Sequence, residues 1–258
     1  MTIVDFLLMM AVVAIIAWFV TKRKRRHRIT NEEQPLLPGA SIDIASSNLF
    51  KIPKARKGAS PFFLVIDLDT ADILTDLSET PPVIAFSYIL LDPDFELIER
   101  HTFYLDSVKE ITSAARRIHR IDETVLHREG ISPELAYRRF DEAFAKAHVI
   151  VAHSLGAYRN ILDNDRRRLG FSPLPWENKK LFSTMDEGMI YLQRNIPNYS
   201  LDFISLRSLY GYLYFASSKI QFKTSHKSRE EILLVVACLR YLYDTKEYPI
   251  ETYSTMTE

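Results

Sequence analysis

Residues 62–70 read FFLVIDLDT, five apolar side chains in an unbroken run closed by Asp67 and Asp69 with Leu68 between them. A run of this length and composition is a buried strand, and a buried strand has no use for two charges. A spacing of two on a strand sends both carboxylates to one face and returns Leu68 to the core. Two readings of the pair stand side by side. Either the carboxylates hold a metal ion, or the strand has reached water and a turn begins.

The surrounding residues supply the rest of a sheet. VIAFSYILLD and LIERHTFYL read as two further strands joined by the turn-rich DPDFE, and HVIVAH and KKLFSTM as a fourth and a fifth. ISPELAYRRFDEAFAKA predicts a helix with Ser132 as N-cap and Pro133 at the first helical position. YRNILDNDRRRLG predicts another that ends at Gly170, with Asp163 and Asp165 on its solvated face, and His153 before it is read as a structural strand-end residue. Helical segments follow over 185–193 and 201–212, and 228–244 is the strongest amphipathic stretch. Strands, a helix, a strand and more helices in this order predict an α/β domain with a mixed sheet over residues 61–245, followed by a tail over 246–258.

The first 20 residues carry one charge, Asp5, and as a helix they reach roughly 30 Å, the thickness of one hydrocarbon core. Residues 22–28, KRKRRHR, follow the apolar run, which is the flank of a stop-transfer anchor and not the leading charge of a cleaved signal peptide. Residues 1–21 therefore predict a single transmembrane anchor, and the positive-inside rule places the remainder on the cytoplasmic side of the inner membrane. Trp18 suits the interface. Residues 22–60, with Pro35, Pro38, Pro53 and Gly58 among polar residues, predict a basic flank and a flexible linker, with local order around IDIASSNLF.

Charge and cysteine content narrow the function classes. The formal net charge is +0, yet six of the 33 basic residues sit in that flank, so from residue 29 onward 27 basic residues face 32 acidic ones. A broad electropositive surface for nucleic acid is not expected, and any phosphate binding has to be local or metal-assisted. The single cysteine, Cys238, excludes an intramolecular disulfide and reads as a small buried helix residue.

Four segments, in order, resemble the DEDD 3′–5′ exonucleases of the ribonuclease-H-like group. The strand ending in Asp67-Leu68-Asp69-Thr70 resembles the first motif. ARRIHRIDETVLHREG resembles a segment that usually reads Ile-His-Gly-Ile-Thr, and VIVAHSLGAYRNILDNDRRRLG the second motif, normally His-Asn-x-x-Phe-Asp. SHKSREEILLVVACLRYL resembles the third motif of the DEDDh type, with a His five residues before an acid at a helix start.

That resemblance implies a ribonuclease H-like mixed sheet flanked by helices, and a membrane-anchored exonuclease-like protein that hydrolyses nucleic-acid 3′ ends. It implies two Mg²⁺ or Mn²⁺ ions held by Asp67, Asp69 and Glu231, with His226 as general base for the attacking water. The chain departs from the pattern at most acidic positions. Asp69 stands for Glu, and Glu231 stands for Asp. The second-motif acid falls on Tyr158 or, one residue on, Arg159. Each residue also has a plain structural reading: His226 as an exposed loop histidine, and Glu231 as the fourth position of a capping box opened by Ser228. The alternative reading of the whole chain is a catalytically inactive exonuclease-fold domain that binds nucleic acid or a protein at the membrane.

Overall fold

A computed structural model describes residues 41–44, 46–76, 79–107, 110–197, 199–200, 202–223 and 227–245. The expected anchor over 1–21, the tail over 246–258 and His226 lie outside the described residues. Among the described residues no helix is long and apolar enough to cross a membrane.

The described residues form eight strands and seven α-helices. The strands are β1 (Ser41–Asp43), β2 (Phe63–Thr70), β3 (Val83–Leu91), β4 (Leu97–Leu105), β5 (Gly130–Ile131), β6 (Val149–Ala152), β7 (Lys180–Ser183) and β8 (Gln221–Lys223). The helices are α1 (Ser113–His119), α2 (Glu123–Glu129), α3 (Pro133–Lys146), α4 (Leu155–Arg168), α5 (Thr184–Asn195), α6 (Leu206–Phe215) and α7 (Lys227–Thr245). Six strands form one sheet in the order β5-β4-β3-β2-β6-β7. β2, β3 and β4 pair antiparallel, whereas β2–β6 and β6–β7 are parallel. This mixed α/β sheet flanked by helices is compatible with a ribonuclease H-like fold.

β2 lies inside the sheet and is buried along its length apart from Thr70. Its alternate side chains face two different helical layers. Leu64, Ile66 and Leu68 pack with Tyr137, Phe140 and Phe144 of α3 and with Ile161 and Leu162 of α4. On the opposite face the Phe63 ring meets Tyr243 of α7 edge-on, with centroids 5.0 Å apart. Asp67 and Asp69 follow Phe63 and Val65 in this alternation, so the pair belongs to the α7 face.

Local chemistry fixes the elements around β2. In the β3–β4 turn Asp92 Oδ1 accepts from the amides of Asp94 and Glu96, each at 2.9 Å. Phe95 in that turn takes φ 60, and its ring stacks on Phe63 at 4.8 Å. The Ser132 hydroxyl caps α3 by accepting from the Leu135 amide, with Pro133 at the start of the helix.

Asp163 and Asp165 do not lie on a solvated face, as their helix position suggests. Asp165 is 2% exposed and accepts from Tyr137 Oη at 2.6 Å, from the Val83 amide at 3.1 Å and from Arg168 at 2.6 Å. Asp163 accepts from Trp176 Nε1 at 2.9 Å. These carboxylates tie α4 to α3, to the start of β3 and to the loop after α4.

The ordered body also begins before residue 61. The expected local order around residues 42–50 takes the form of β1 paired in parallel with β8, with Ile42, Ile44 and Phe50 buried. Pro53 then accepts from the Leu97 amide at 2.7 Å, and the Ala55 amide donates to Leu97 at 2.9 Å. The second half of the stretch read as flexible linker is thus held to the domain by its own apolar residues and backbone hydrogen bonds.

Candidate functional site

The aspartate pair is buried at the end of β2, with Asp67 8% and Asp69 7% exposed. The structure keeps the two carboxylates side by side on one strand and adds a third group. β6 pairs with β2 only as far as Val65, opposite Val151, two residues short of Asp67. α4 begins three residues after β6 ends, and from it the Tyr158 hydroxyl donates to Asp67 Oδ1 across 2.7 Å.

Burial pushes the Tyr158 phenol well above its ordinary value, and the charges of Asp67 and then Asp69 push it further; the Leu68 amide acts weakly the other way. The phenol is therefore protonated throughout the ordinary pH range and acts toward Asp67 as a donor. A partly buried hydrogen bond to a charged acceptor is among the stronger ones, worth about 1.5–3 kcal/mol. Tyr158 is the residue that falls on the second-motif acid position in an ungapped match. A neutral donor stands there instead of a carboxylate.

Glu231, on the first turns of α7, has a partner of its own. Its Oε1 accepts from Arg207 Nη2 at 2.7 Å and from Nε at 2.9 Å, and its side chain is 13% exposed. Arg207 is on the first turn of α6, where Ser205 caps the helix by accepting from the Ser208 amide at 3.2 Å. α5 packs against α6 so tightly that a Cβ at Gly188 would lie 2.5 Å from Leu209 Cδ1, which fixes where that first turn sits.

His153, at the end of β6, is bonded on both ring nitrogens, to Thr184 Oγ1 at 3.1 Å and to the Ile204 carbonyl at 2.9 Å. Burial holds its imidazole below the ordinary value, so it is neutral at pH 7, with Nε2–H donating to Ile204 and Nδ1 accepting from Thr184. As the sequence suggests, it is a structural strand-end residue, and it secures the segment that leads into α6.

Glu231 and Arg207 belong to a cavity of about 750 Å³ lined by Arg117, Ile118, Arg120, Ser205, Leu206, Phe222 and Lys223 as well. Among the described residues four cations and one carboxylate face this space, and that carboxylate accepts from Arg207. Asp67 and Asp69 are not among the lining residues.

Arg120 has φ 61 and ψ 22, the left-handed conformation that glycine adopts without cost and other residues at about 1–2 kcal/mol. The turn is over-determined by its neighbours. The Arg120 amide bonds to the Arg116 carbonyl at 2.9 Å, and His119 Nδ1 accepts from the Ile121 amide at 3.0 Å. Arg117, Arg120, Arg207 and Lys223 are functional candidates that the sequence reading missed. The signal for Arg117 and Arg120 was the local run ARRIHR, hidden by a domain-wide excess of acid.

The described residues alone do not complete a two-ion centre, and His226, the expected base, lies outside them. Such a centre needs hard oxygen ligands from several elements. Asp67 and Asp69 supply one strand's pair, the second-motif position supplies a phenol, and the cation Arg207 holds Glu231. Among the described residues no group of three or more His, Cys, Asp or Glu is placed to hold a metal ion.

The chain matches no protein-family model and no curated protein. It does match solved structures of exonuclease I. Against the apo form the TM-score is 0.54 at 17% identity, over 73% of this chain and 43% of that one. Against a product-bound form the TM-score is 0.55 at 17% identity, over 72% and 44%. The E. coli enzyme in complex with a dT13 oligonucleotide gives 0.53 at 18% identity, over 70% and 40%. The chain spans about four tenths of the length of the exonuclease I chains it matches, and the likeness is one of fold.

Proposed function

We propose that this exonuclease-fold domain holds the ends of single-stranded nucleic acid in its cationic cavity and does not hydrolyse them. The observation that carries the reading is the state of Glu231. The acid expected to help hold metal is bonded to Arg207, inside a cavity where Arg117, Arg120 and Lys223 supply further positive charge. Guanidinium and ammonium groups bind phosphate oxygens directly, and Arg does so in a bidentate manner. The fold match supports the ligand class, since the similar structures include exonuclease I with dT13 and with dA16.

Residues 1–21, followed by the basic flank, would moor the domain on the cytoplasmic side of the inner membrane. Protease protection of a carboxy-terminal tag tests this. A tag cleaved only after the inner membrane is opened fits the orientation, and a tag cleaved in intact spheroplasts contradicts it.

A second reading is favoured by the survival of the aspartate pair. In it Asp67 and Asp69, with Glu231, hold Mg²⁺ or Mn²⁺, and His226 is the base in 3′–5′ hydrolysis. Incubation of the full-length chain with labelled oligonucleotides and Mn²⁺ separates the two. Binding without shortening supports the first. Shortening that Asp67→Ala abolishes supports the second.

A further inference from the structure

We propose that residues 51–57, KIPKARK, form a docking surface for anionic lipid headgroups that seats the domain on the bilayer, an inference that rests on the membrane-anchor reading above. Lys51, Lys54, Arg56 and Lys57 are all exposed, and among the described residues none of the four has an ion pair or a side-chain hydrogen bond. Solvated faces ordinarily mix the two signs of charge. Here no Asp or Glu occurs from residue 44 to residue 66.

The four cations are presented by a fixed backbone. Phe50 before them is buried, its ring 5.4 Å from that of Tyr210. Lys54 bridges Leu97 in parallel, with the Leu97 amide donating to Pro53 and the Ala55 amide donating to Leu97. The Ala59 amide closes a turn onto the Arg56 carbonyl at 3.0 Å, and Gly58 supplies the positive φ, 81, that the turn needs. Phe62 returns the chain to the sheet by donating its amide to Leu91 at 2.8 Å. A surface ordered in this way loses little further conformational freedom when it binds.

Chain connectivity selects the partner. Residues 22–40 span at most about 70 Å, so an anchor over 1–21 keeps the start of the domain within reach of a bilayer. The cytoplasmic leaflet is anionic and attracts Lys and Arg that lie within about 10 Å of it. From residue 29 onward 27 basic residues face 32 acidic ones, so such a leaflet repels the body in sum and attracts this segment. The segment thereby sets which side of the domain meets the membrane. A nucleic-acid strand is the competing polyanion, and it has to arrive by diffusion, whereas the chain itself holds the leaflet in reach.

The test is lysine acetylation of the full-length chain in bilayer nanodiscs of phosphatidylcholine, alone or with about one third phosphatidylglycerol, read residue by residue by mass spectrometry. A third set adds a single-stranded oligonucleotide to the neutral discs. Lys51, Lys54 and Lys57 are expected to react about fivefold more slowly in the anionic discs, and the difference is expected to vanish in high salt. Lys146 and Lys219, exposed elsewhere on the domain, are expected to react alike in both. Lys54→Glu with Lys57→Glu, at two exposed positions, is expected to remove the protection of Lys51 without lowering the melting temperature.

Equal reactivity of the three lysines in neutral and anionic discs overturns the inference and leaves the anchor reading standing. Protection shared by Lys146 and Lys219, or kept at Lys51 in the doubly substituted chain, overturns it as well. Protection by the oligonucleotide in place of the anionic lipid assigns the segment to nucleic acid. Failure of the chain to co-elute with disc lipid in high salt removes the anchor reading and this inference with it.

Discussion

The Tyr158 hydroxyl and Asp67 Oδ1 are 2.7 Å apart, with the phenol as donor, at the place where the exonuclease resemblance asks for a second carboxylate. The bond turns a potential metal ligand into half of a neutral–charged hydrogen-bonded pair. Tyr158→Phe leaves a buried carboxylate short of a donor and is expected to lower stability by about 1–3 kcal/mol, read by urea denaturation. Tyr158→Asp places a carboxylate beside Asp67 and Asp69. It is expected to destabilise the metal-free chain and to make the melting temperature rise with added Mn²⁺, whereas that of the parent chain is expected to stay unchanged.

Arg207 and Glu231 form the second such pair, and their coupling is measurable. Arg207→Ala, Glu231→Ala and the double substitution should give an interaction energy of about 0.5–3 kcal/mol in a stability cycle. Nucleic-acid affinity should fall about tenfold for Arg207→Ala but not for Glu231→Ala, because only the former removes positive charge from the cavity. Equal losses for both would mean that the pair serves packing alone.

Salt dependence counts the cations that matter. If Arg117, Arg120 and Lys223 neutralise phosphates of a single strand, log K against log salt should have a slope of about −2, and each removal should flatten it by about 0.7. A slope near zero would assign the binding to apolar contacts with Ile118 and Phe222.

His153 gives the stability a pH dependence of known sign. Its folded-state value is depressed by burial, against the opposing influence of the Ile204 carbonyl and Asp186. As pH falls through about 6.5 the unfolded chain takes up a proton first, so the stability that His153 contributes is complete above that pH. It declines as pH falls toward the folded-state value, by at most about 1.4 kcal/mol per pH unit, and is constant below. Denaturation curves of the parent and His153→Asn over this range should converge as the pH is lowered.

The sheet was legible because its signal is local. The five runs read as strands in the sequence are β2, β3, β4, β6 and β7, and the apolar signal is densest in β2, β3 and β6, which are covered on both faces. The Asp92 turn and the Ser132-Pro133 helix start are equally local. α1 and α2, seven residues each, are too short to show a helical period, and the β1–β8 pairing joins segments whose partners are far apart in sequence.

Legibility of the site divides along the same line. Asp67 and Asp69 were readable from their spacing, and Tyr158 from its alignment with a missing acid. The Arg207–Glu231 pair joins residues 24 apart across two helices, and no periodicity encodes it. The cationic cavity was hidden for a different reason. Summing charge over the body gives a small acidic excess, which is true of the surface as a whole and wrong for one concavity.

Mn²⁺-dependent shortening of an end-labelled single strand that the full-length chain demonstrably binds is the most direct measure of whether this domain holds ends or cuts them. The account predicts a retained strand of unchanged length after prolonged incubation at saturating protein. Progressive loss of nucleotides from the 3′ end, abolished by Asp67→Ala, would contradict it.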